Sequence, residues 1–332
     1  MLSALKKRIW NLFPAGLRRF YSGIRCPEHR PMKMTLAEHY IYKGQEGADL
    51  IARMLEGGDP CLVTRFGWNE IAVVMHYLKQ CRRATVSYPA GLREAMQTGA
   101  GFFPPTDEKL SRFAYETLRL LPEIDILGVT GRRGEEQLIR SFNPAIRAVD
   151  INCVVDHVTL AERPWTRMLK GKKILVIHPF AGTIRSQYTR RELLFPGRDV
   201  LPEFELITLK AVQSNGILPS GFPYTDWFSA LESMCREIKT VDYDIALIGA
   251  GAYGMFLGAF CKRCGKPAEE LRIAVGRDSR LSGPSLQRAV LTGLVAMGAV
   301  AADCGMASTP AMFMATVLPG CDFDGAVMIT AS

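Results

Sequence analysis

The chain has 332 residues, is 48% apolar and carries 22% charged and 9% aromatic side chains, which excludes a disordered or low-complexity protein. Its length gives one large domain or two ordinary ones, and no apolar run reaches the roughly 20 residues that a membrane-spanning helix needs. The formal charge of +8 is concentrated: residues 1–34 hold eight Lys and Arg against Glu28, a net +7, which leaves +1 on the other 298 residues. A globular part without basic excess, and with no zinc-finger or RNA-binding pattern, predicts no nucleic-acid partner. Nine cysteines without a framework of spacings read as reduced thiols and a cytoplasmic chain.

Residues 1–25 combine a basic, acid-free set with Leu2, Leu5, Ile9, Trp10, Leu12 and Phe13 at helical spacing. The segment reads as an amphipathic leader, an organelle transit peptide or a membrane-surface helix, with Pro14 limiting its helical length. From about residue 48 the pattern predicts helices over 48–56, 69–80, 107–121, 134–142 and 224–239. Strands are predicted over 61–66, 124–130, near 151–155, over 173–178, 204–208 and 244–249. Alternation of this kind predicts an α/β protein with a parallel sheet and helices on both faces. A second block starts near Glu269, with strands over 271–276, 299–304 and 325–331 and helices over 283–297 and 310–318. Ser282 and Pro284 suit the cap and first turn of the first of these helices. The predicted organisation is a leader (1–34), a larger α/β domain (35–268) and a short α/β/α unit (269–332).

Candidate chemistry falls at strand ends, where parallel sheets bind ligands. Gly249, Gly251 and Gly254 fit G-x-G-x-x-G between a strand and a helix, a pattern that lets backbone N–H groups approach a phosphate. A purely structural tight turn fits the same residues. Arg65 suits a bidentate phosphate contact. Glu70 suits a metal or a hydroxyl, or a plain helix first turn stabilised by the dipole. His178 ends a strand, and Cys261–Cys264 has C-x-x-C spacing without the second pair that zinc requires. In the last block, Arg277, Asp278 and Arg280, then Ser308 and Thr309, then Thr330 and Ser332, follow three consecutive strands. Arginines and small hydroxyls at one edge describe a phosphate site, and an exposed serine there suits covalent phosphoryl transfer.

The stretches VGRDSRLSGPSL (275–286), GMASTPAMF (305–313) and DGAVMITAS (324–332) resemble the first domain of the phosphohexomutases. Thr330-Ala331-Ser332 match the start of that family's T-A-S-H-x-P motif. The resemblance therefore implies that Ser332 is the phosphoserine, that Arg277, Asp278 and Arg280 form the loop beside it, and that Mg²⁺ binds through the serine phosphate. It implies an isomerase that moves phosphate within a hexose phosphate. The His-x-Pro of the motif, the aspartate-rich metal loop and the later domains have no counterpart in these residues. A polypeptide of these 332 residues is accordingly expected to lack mutase turnover.

Residues 48–268 resemble proteins related to the GT-D-fold glycosyltransferases, through LVTRFGWNE (62–70), GAGFFPPTDEKL (99–110), LKGKKILVIHPF (169–180) and YDIALIGAGAYGMFLGAFCKRCGKPA (243–268). That pattern places Asp-x-Glu after R-F-G to hold a divalent metal, Mn²⁺ for example, on a nucleotide sugar. Here the tripeptide is Trp68-Asn69-Glu70, so only Glu70 carries over. Two functional alternatives to the mutase follow: nucleotide-sugar glycosyl transfer by the larger domain, and non-catalytic binding of a phosphosugar.

Overall fold

In the computed structural model the chain is described over residues 35–36, 39–81, 87–132, 134–156, 161–195, 200–214, 218, 221–265, 271–316, 321 and 323–330. The predicted leader, Ala331 and Ser332 lie outside the described residues. Thr35–Ser332 forms one compact unit.

Strands β1 (Thr35–Leu36) and β2 (His39–Tyr42) open this unit, followed by helix α1 (Gly44–Glu56), strand β3 (Val63–Arg65) and helix α2 (Trp68–Cys81). Helices α3 (Ala90–Ala100) and α4 (Asp107–Leu120) precede strand β4 (Ile126–Val129), helix α5 (Glu135–Phe142), strand β5 (Arg147–Asp150) and helix α6 (Ile151–Val155). The first sheet has the order β1-β2-β5-β4-β3, parallel throughout except for the antiparallel pair β1/β2. Its core joins Leu50 and Ile51 of α1 to Ile126, Val149 and Cys153. Burying side chains of this size stabilises by about 1.5–3 kcal/mol each.

The sequence reading of 151–155 as a strand is corrected here. The strand is Arg147–Asp150, and Ile151–Val155 is helical because the Asp150 carboxylate accepts the Asn152 N–H at 2.9 Å and caps it. The β-branched residues of INCVV supply strand propensity, but the cap decides against it.

Strand β6 (Lys173–His178), helices α7 (Ala181–Tyr188) and α8 (Arg191–Leu194), strand β7 (Glu205–Lys210), helix α9 (Trp227–Ile238) and strand β8 (Ile245–Ile248) build a second, fully parallel sheet of order β7-β6-β8. Asp226 starts α9 with a capping box, accepting the Ser229 N–H while the Ser229 hydroxyl meets the Asp226 N–H. Helix α10 (Gly254–Cys264) follows, and packs on β8 and on β3 of the first sheet. An aromatic cluster of Phe102, Phe113, Trp227, Tyr253 and Phe256 ties α4, α9 and α10 together.

The third sheet is parallel with order β10-β9-β11, from β9 (Arg272–Arg277), helix α11 (Gly283–Ala296), β10 (Val300–Met306), helix α12 (Thr309–Ala315) and β11 (Gly325–Ile329). Ala274 and Val275 of the central strand are fully buried. Pro284 sits in the first turn of α11 as expected, whereas Ser282 makes no side-chain cap there. The Arg119 guanidinium of α4 donates to the Thr316 hydroxyl at 3.2 Å, joining this block to the rest of the unit. Among the described residues no helix is long and apolar enough to cross a membrane.

Candidate functional site

Two constellations emerge, each at the carboxyl edge of a parallel sheet. The first lies at the end of the third sheet. Arg277 is in register with Met306 of β10 and with Ile329 of β11, so the three following loops start side by side. Two backbone bonds hold them together: Ala307 N–H donates to Arg277 O at 2.9 Å, and Asp278 N–H to Ile329 O at 3.1 Å. Arg277, Asp278, Arg280, Ser308 and Thr330 therefore share one edge.

Within this edge the charges are not equivalent. Asp278 faces Arg280 at 3.3 Å and also accepts the Arg280 N–H. Arg277 is held by neutral oxygens instead, Gln287 Oε1 at 3.1 Å and Asp278 O at 3.2 Å. Its positive charge is thus left for an anion, with the guanidinium already oriented. Gln287 is the residue that sequence reasoning missed. It is 4% exposed, and its amide nitrogen donates to Val275 O at 2.9 Å and to Asp303 Oδ1 at 2.7 Å. A glutamine among the buried residues of α11 was the available signal. Gly276 is dictated by packing, since a Cβ there would lie 2.4 Å from Met312 Sδ.

The second constellation occupies a cavity of about 1510 Å³ lined by residues of the first and second sheets, α10 among them. Arg65, Glu70, His178, Gly249, Gly251 and Gly254 all border it. The glycines differ in why they are glycine. At Gly249 a Cβ would sit 2.5 Å from His178 Cδ2, and at Gly251, with φ +56°, 2.9 Å from Ala100 O. Gly254 meets nothing within 4 Å and opens onto the cavity. The intervening Tyr253 is buried and stacks on Trp227 with ring centroids 4.7 Å apart. The turn is thus anchored by packing from behind and open in front.

Glu70 lies against Gly67, where a Cβ would come within 2.0 Å of its carboxylate. Burial pushes the Glu70 carboxyl above the usual range, opposed by the N–H groups of Asn69 and Glu70 and by the Arg65 charge. Asn69 Nδ2 donates to Ala95 O at 2.9 Å. Trp68, which borders the cavity, carries the Arg132 guanidinium over its ring, a contact that the sequence did not signal. Phe180 N–H donates to His178 Nδ1 at 3.0 Å.

The described residues do not fit the metals that the resemblances imply. Among the described residues no group of three or more His, Cys, Asp or Glu is arranged to hold an ion. Glu70 is a single carboxylate whose neighbours are Trp68 and Asn69, and Asp278 and Asp303 are engaged by Arg280 and Gln287. Burial also raises the thiols of Cys261, to about 11, and Cys264. That pair therefore lacks the thiolate character of a reactive C-x-x-C.

These features define the C-terminal block as a parallel α/β/α unit with a basic, hydroxyl-bearing strand edge. The family model described as "Phosphoglucomutase/phosphomannomutase, alpha/beta/alpha domain I" matches residues 250–332, and the block is domain I-like. A phosphoglucomutase/phosphomannomutase of Thermococcus kodakarensis is 42% identical over 79 residues, 24% of this chain and 16% of that protein. A phosphomannomutase/phosphoglucomutase of Pseudomonas aeruginosa is 46% identical over 61 residues, 18% of this chain and 12% of that protein. A phosphoglucosamine mutase of Pediococcus pentosaceus is 39% identical over 102 residues, 31% of this chain and 21% of that protein. The chain thus spans between 12% and 21% of the length of these relatives. No solved structure matches. The family match begins at residue 250, and so includes helix α10, which packs on the first two sheets.

Proposed function

We propose that the carboxyl edge of the third sheet binds the phosphate of a hexose phosphate, with Arg277 as the principal cation and Arg280 and Thr330 as supporting donors. In this reading Ser332 carries the phosphoryl group when the phosphotransfer machinery is complete. The serine oxygen would bond to phosphorus as a sugar hydroxyl oxygen leaves, and the reverse transfer to another hydroxyl would give the isomer. The observation that supports the reading most is the meeting of three loops at one edge, with Arg277 oriented by neutral partners and facing no carboxylate among the described residues. Phosphoryl transfer is mostly positioning and charge neutralisation. One domain-like block among several in the relatives is therefore expected to retain phosphate affinity without turnover. Calorimetric titration of glucose 1-phosphate should give a dissociation constant of about a millimolar, ~4 kcal/mol, and Arg277→Ala should abolish it. Equal affinity in the variant would overturn the assignment.

A second reading has its own observation. Arg65, Glu70, His178 and the glycine turn border one cavity, and a glycine turn opening a helix is suited to a diphosphate. This supports binding of a nucleotide sugar by the larger α/β part. Titration of UDP- and GDP-sugars with and without Mn²⁺, on the parent chain and on Arg65→Ala, tests it. Failure of every nucleotide sugar to bind would leave the turn a structural one.

A further inference from the structure

The same cavity extends well below the strand ends, and its lining there is unusual. It follows consecutive residues on both sides, 60–70 around β3 and 241–252 around β8. Side chains alternate between the two faces of a strand, so a cavity bordered by every successive residue meets the edge of the strand and not a face. β3 is the last strand of the first sheet, and β8 is the last strand of the second. Among the described residues each therefore presents a row of N–H and C=O groups with no strand paired to it.

The two edges run in the same direction. At their amino ends α10 joins them: Lys262 reaches Asp125 beside Leu62, and a Cβ at Gly265 would touch Pro60 at 3.2 Å. At their carboxyl ends α3 joins them, through Asn69 to Ala95 O and through the close approach of Gly251 to Ala100 O. Helix α10 covers one face of the gap. A Cβ on its Gly258 would lie 2.7 Å from Leu62 Cδ1 and 4.0 Å from Ile248 Cδ1, one residue on each edge. Ile51, Val154 and Trp165 border the other face. The gap is a slot with two hydrogen-bonding walls, and an apolar roof and floor.

We propose that this slot is a strand-acceptor site. It takes one extended, uncharged, β-branched segment of about five residues from a partner protein, which joins the two sheets through main-chain hydrogen bonds. Five residues of strand occupy roughly 800 Å³, from a rise of ~3.3 Å, a strand spacing of ~4.8 Å and a layer spacing of ~10 Å. The cavity of about 1510 Å³ holds that and still leaves space at the carboxyl end. Charge agrees with an uncharged occupant, because the lining carries four carboxylates and four cationic side chains, Lys and Arg. A strand covered on both faces is expected to be continuously apolar. A hydrocarbon ligand would fill the volume but leave both backbone edges without partners.

Among the described residues no strand of the chain supplies the occupant. A right-handed crossover from β8 through α10 would deliver the next strand to this gap. That strand, β9, is instead the centre of the third sheet, paired on both edges with Ala274 and Val275 fully buried. A second copy would have to give up a strand from one of its own sheets.

The test uses the full chain and a fluorescein-labelled octapeptide, KSVIVVSK, with a control N-methylated at alternate residues of its apolar core. Binding is read by fluorescence anisotropy, and amide exchange is followed at Val63–Arg65 and Ile245–Ile248. The expected result is slower exchange on both strands, by on the order of tenfold, and at least ~10-fold weaker binding of the N-methylated control. Equal binding of the two peptides, or no change in exchange on the two strands, would overturn the proposal. So would protection of both strands in the free chain that rises with chain concentration, since a second copy would then be the occupant. Because no nucleotide sugar or hexose phosphate is used, failure here is distinct from failure of either reading above.

Discussion

Replacing Gln287 by Met keeps the volume of a nearly fully buried side chain and removes three hydrogen bonds at once. Val275 O loses a donor at 2.9 Å, Asp303 Oδ1 a donor at 2.7 Å, and Arg277 Nε an acceptor at 3.1 Å. Asp303 keeps the Gly305 N–H at 2.8 Å, and Arg277 keeps Asp278 O. Net bonds of this kind are worth about 1 kcal/mol each, and those to charged groups about 1.5–3. Partial rehydration at the Arg277 end brings the expected loss to about 2–4 kcal/mol. Urea unfolding followed by amide exchange at Ala274 and Val275 reads the stability of the block directly. Glucose 6-phosphate affinity should fall by on the order of tenfold as the guanidinium loses its orientation. Gln287→Glu separates the two effects, because it restores an acceptor for Arg277 while neutralising its charge and repelling Asp303. That variant should still bind phosphate poorly. A loss below about 0.5 kcal/mol for Gln287→Met, with unchanged affinity, would refute the view that this residue positions Arg277.

At the glycine turn, Gly251→Ala is expected to cost about 1–3 kcal/mol, from the positive φ and the clash with Ala100 O. Gly254→Ala, at helical φ −52° with open space around it, should stabilise by about 0.4–1 kcal/mol; thermal melts of both variants check the pair. Burial raises the Glu70 carboxyl, so the folded chain holds that proton more tightly than the unfolded one. Its contribution is complete below the ordinary carboxylate range and is lost as pH rises through the folded value. Glu70→Gln should therefore flatten the fall in Tm as pH rises above the ordinary carboxylate range; an unchanged slope would contradict the burial argument. Finally, a coupled assay on the 332-residue polypeptide should show no Ser332-dependent conversion of glucose 1-phosphate to glucose 6-phosphate. Turnover lost in Ser332→Ala would contradict that expectation.

The alternation of elements was legible because helices such as 107–120 and strands such as 173–178 carry clean periodicity and bury one face or both. Helix α3 was not, since Ala90–Ala100 buries only Met96 and Ala100 and is fixed by contacts to Asn69 and Gly251 that are remote in sequence. The short antiparallel pair β1/β2 carries no pattern long enough to read. At the third sheet, the order of Arg277, Ser308 and Thr330 at strand ends was visible, but not the differing charge environments of Arg277 and Arg280. That difference depends on Gln287, whose partners lie 10, 12 and 16 residues away in sequence. That β3 and β8 each end a sheet unpaired is a property of sheet order rather than of either strand alone.

The hexose-phosphate reading is tested most directly by amide chemical-shift mapping with glucose 6-phosphate on the full chain. Arg277, Asp278, Ala307, Ser308 and Thr330 should shift together along one saturable curve, inorganic phosphate should displace the sugar phosphate, and Arg277→Ala should remove the response. Shifts confined to Arg65, His178 and Gly249–Gly254, or a linear response without saturation at the third sheet, would contradict it.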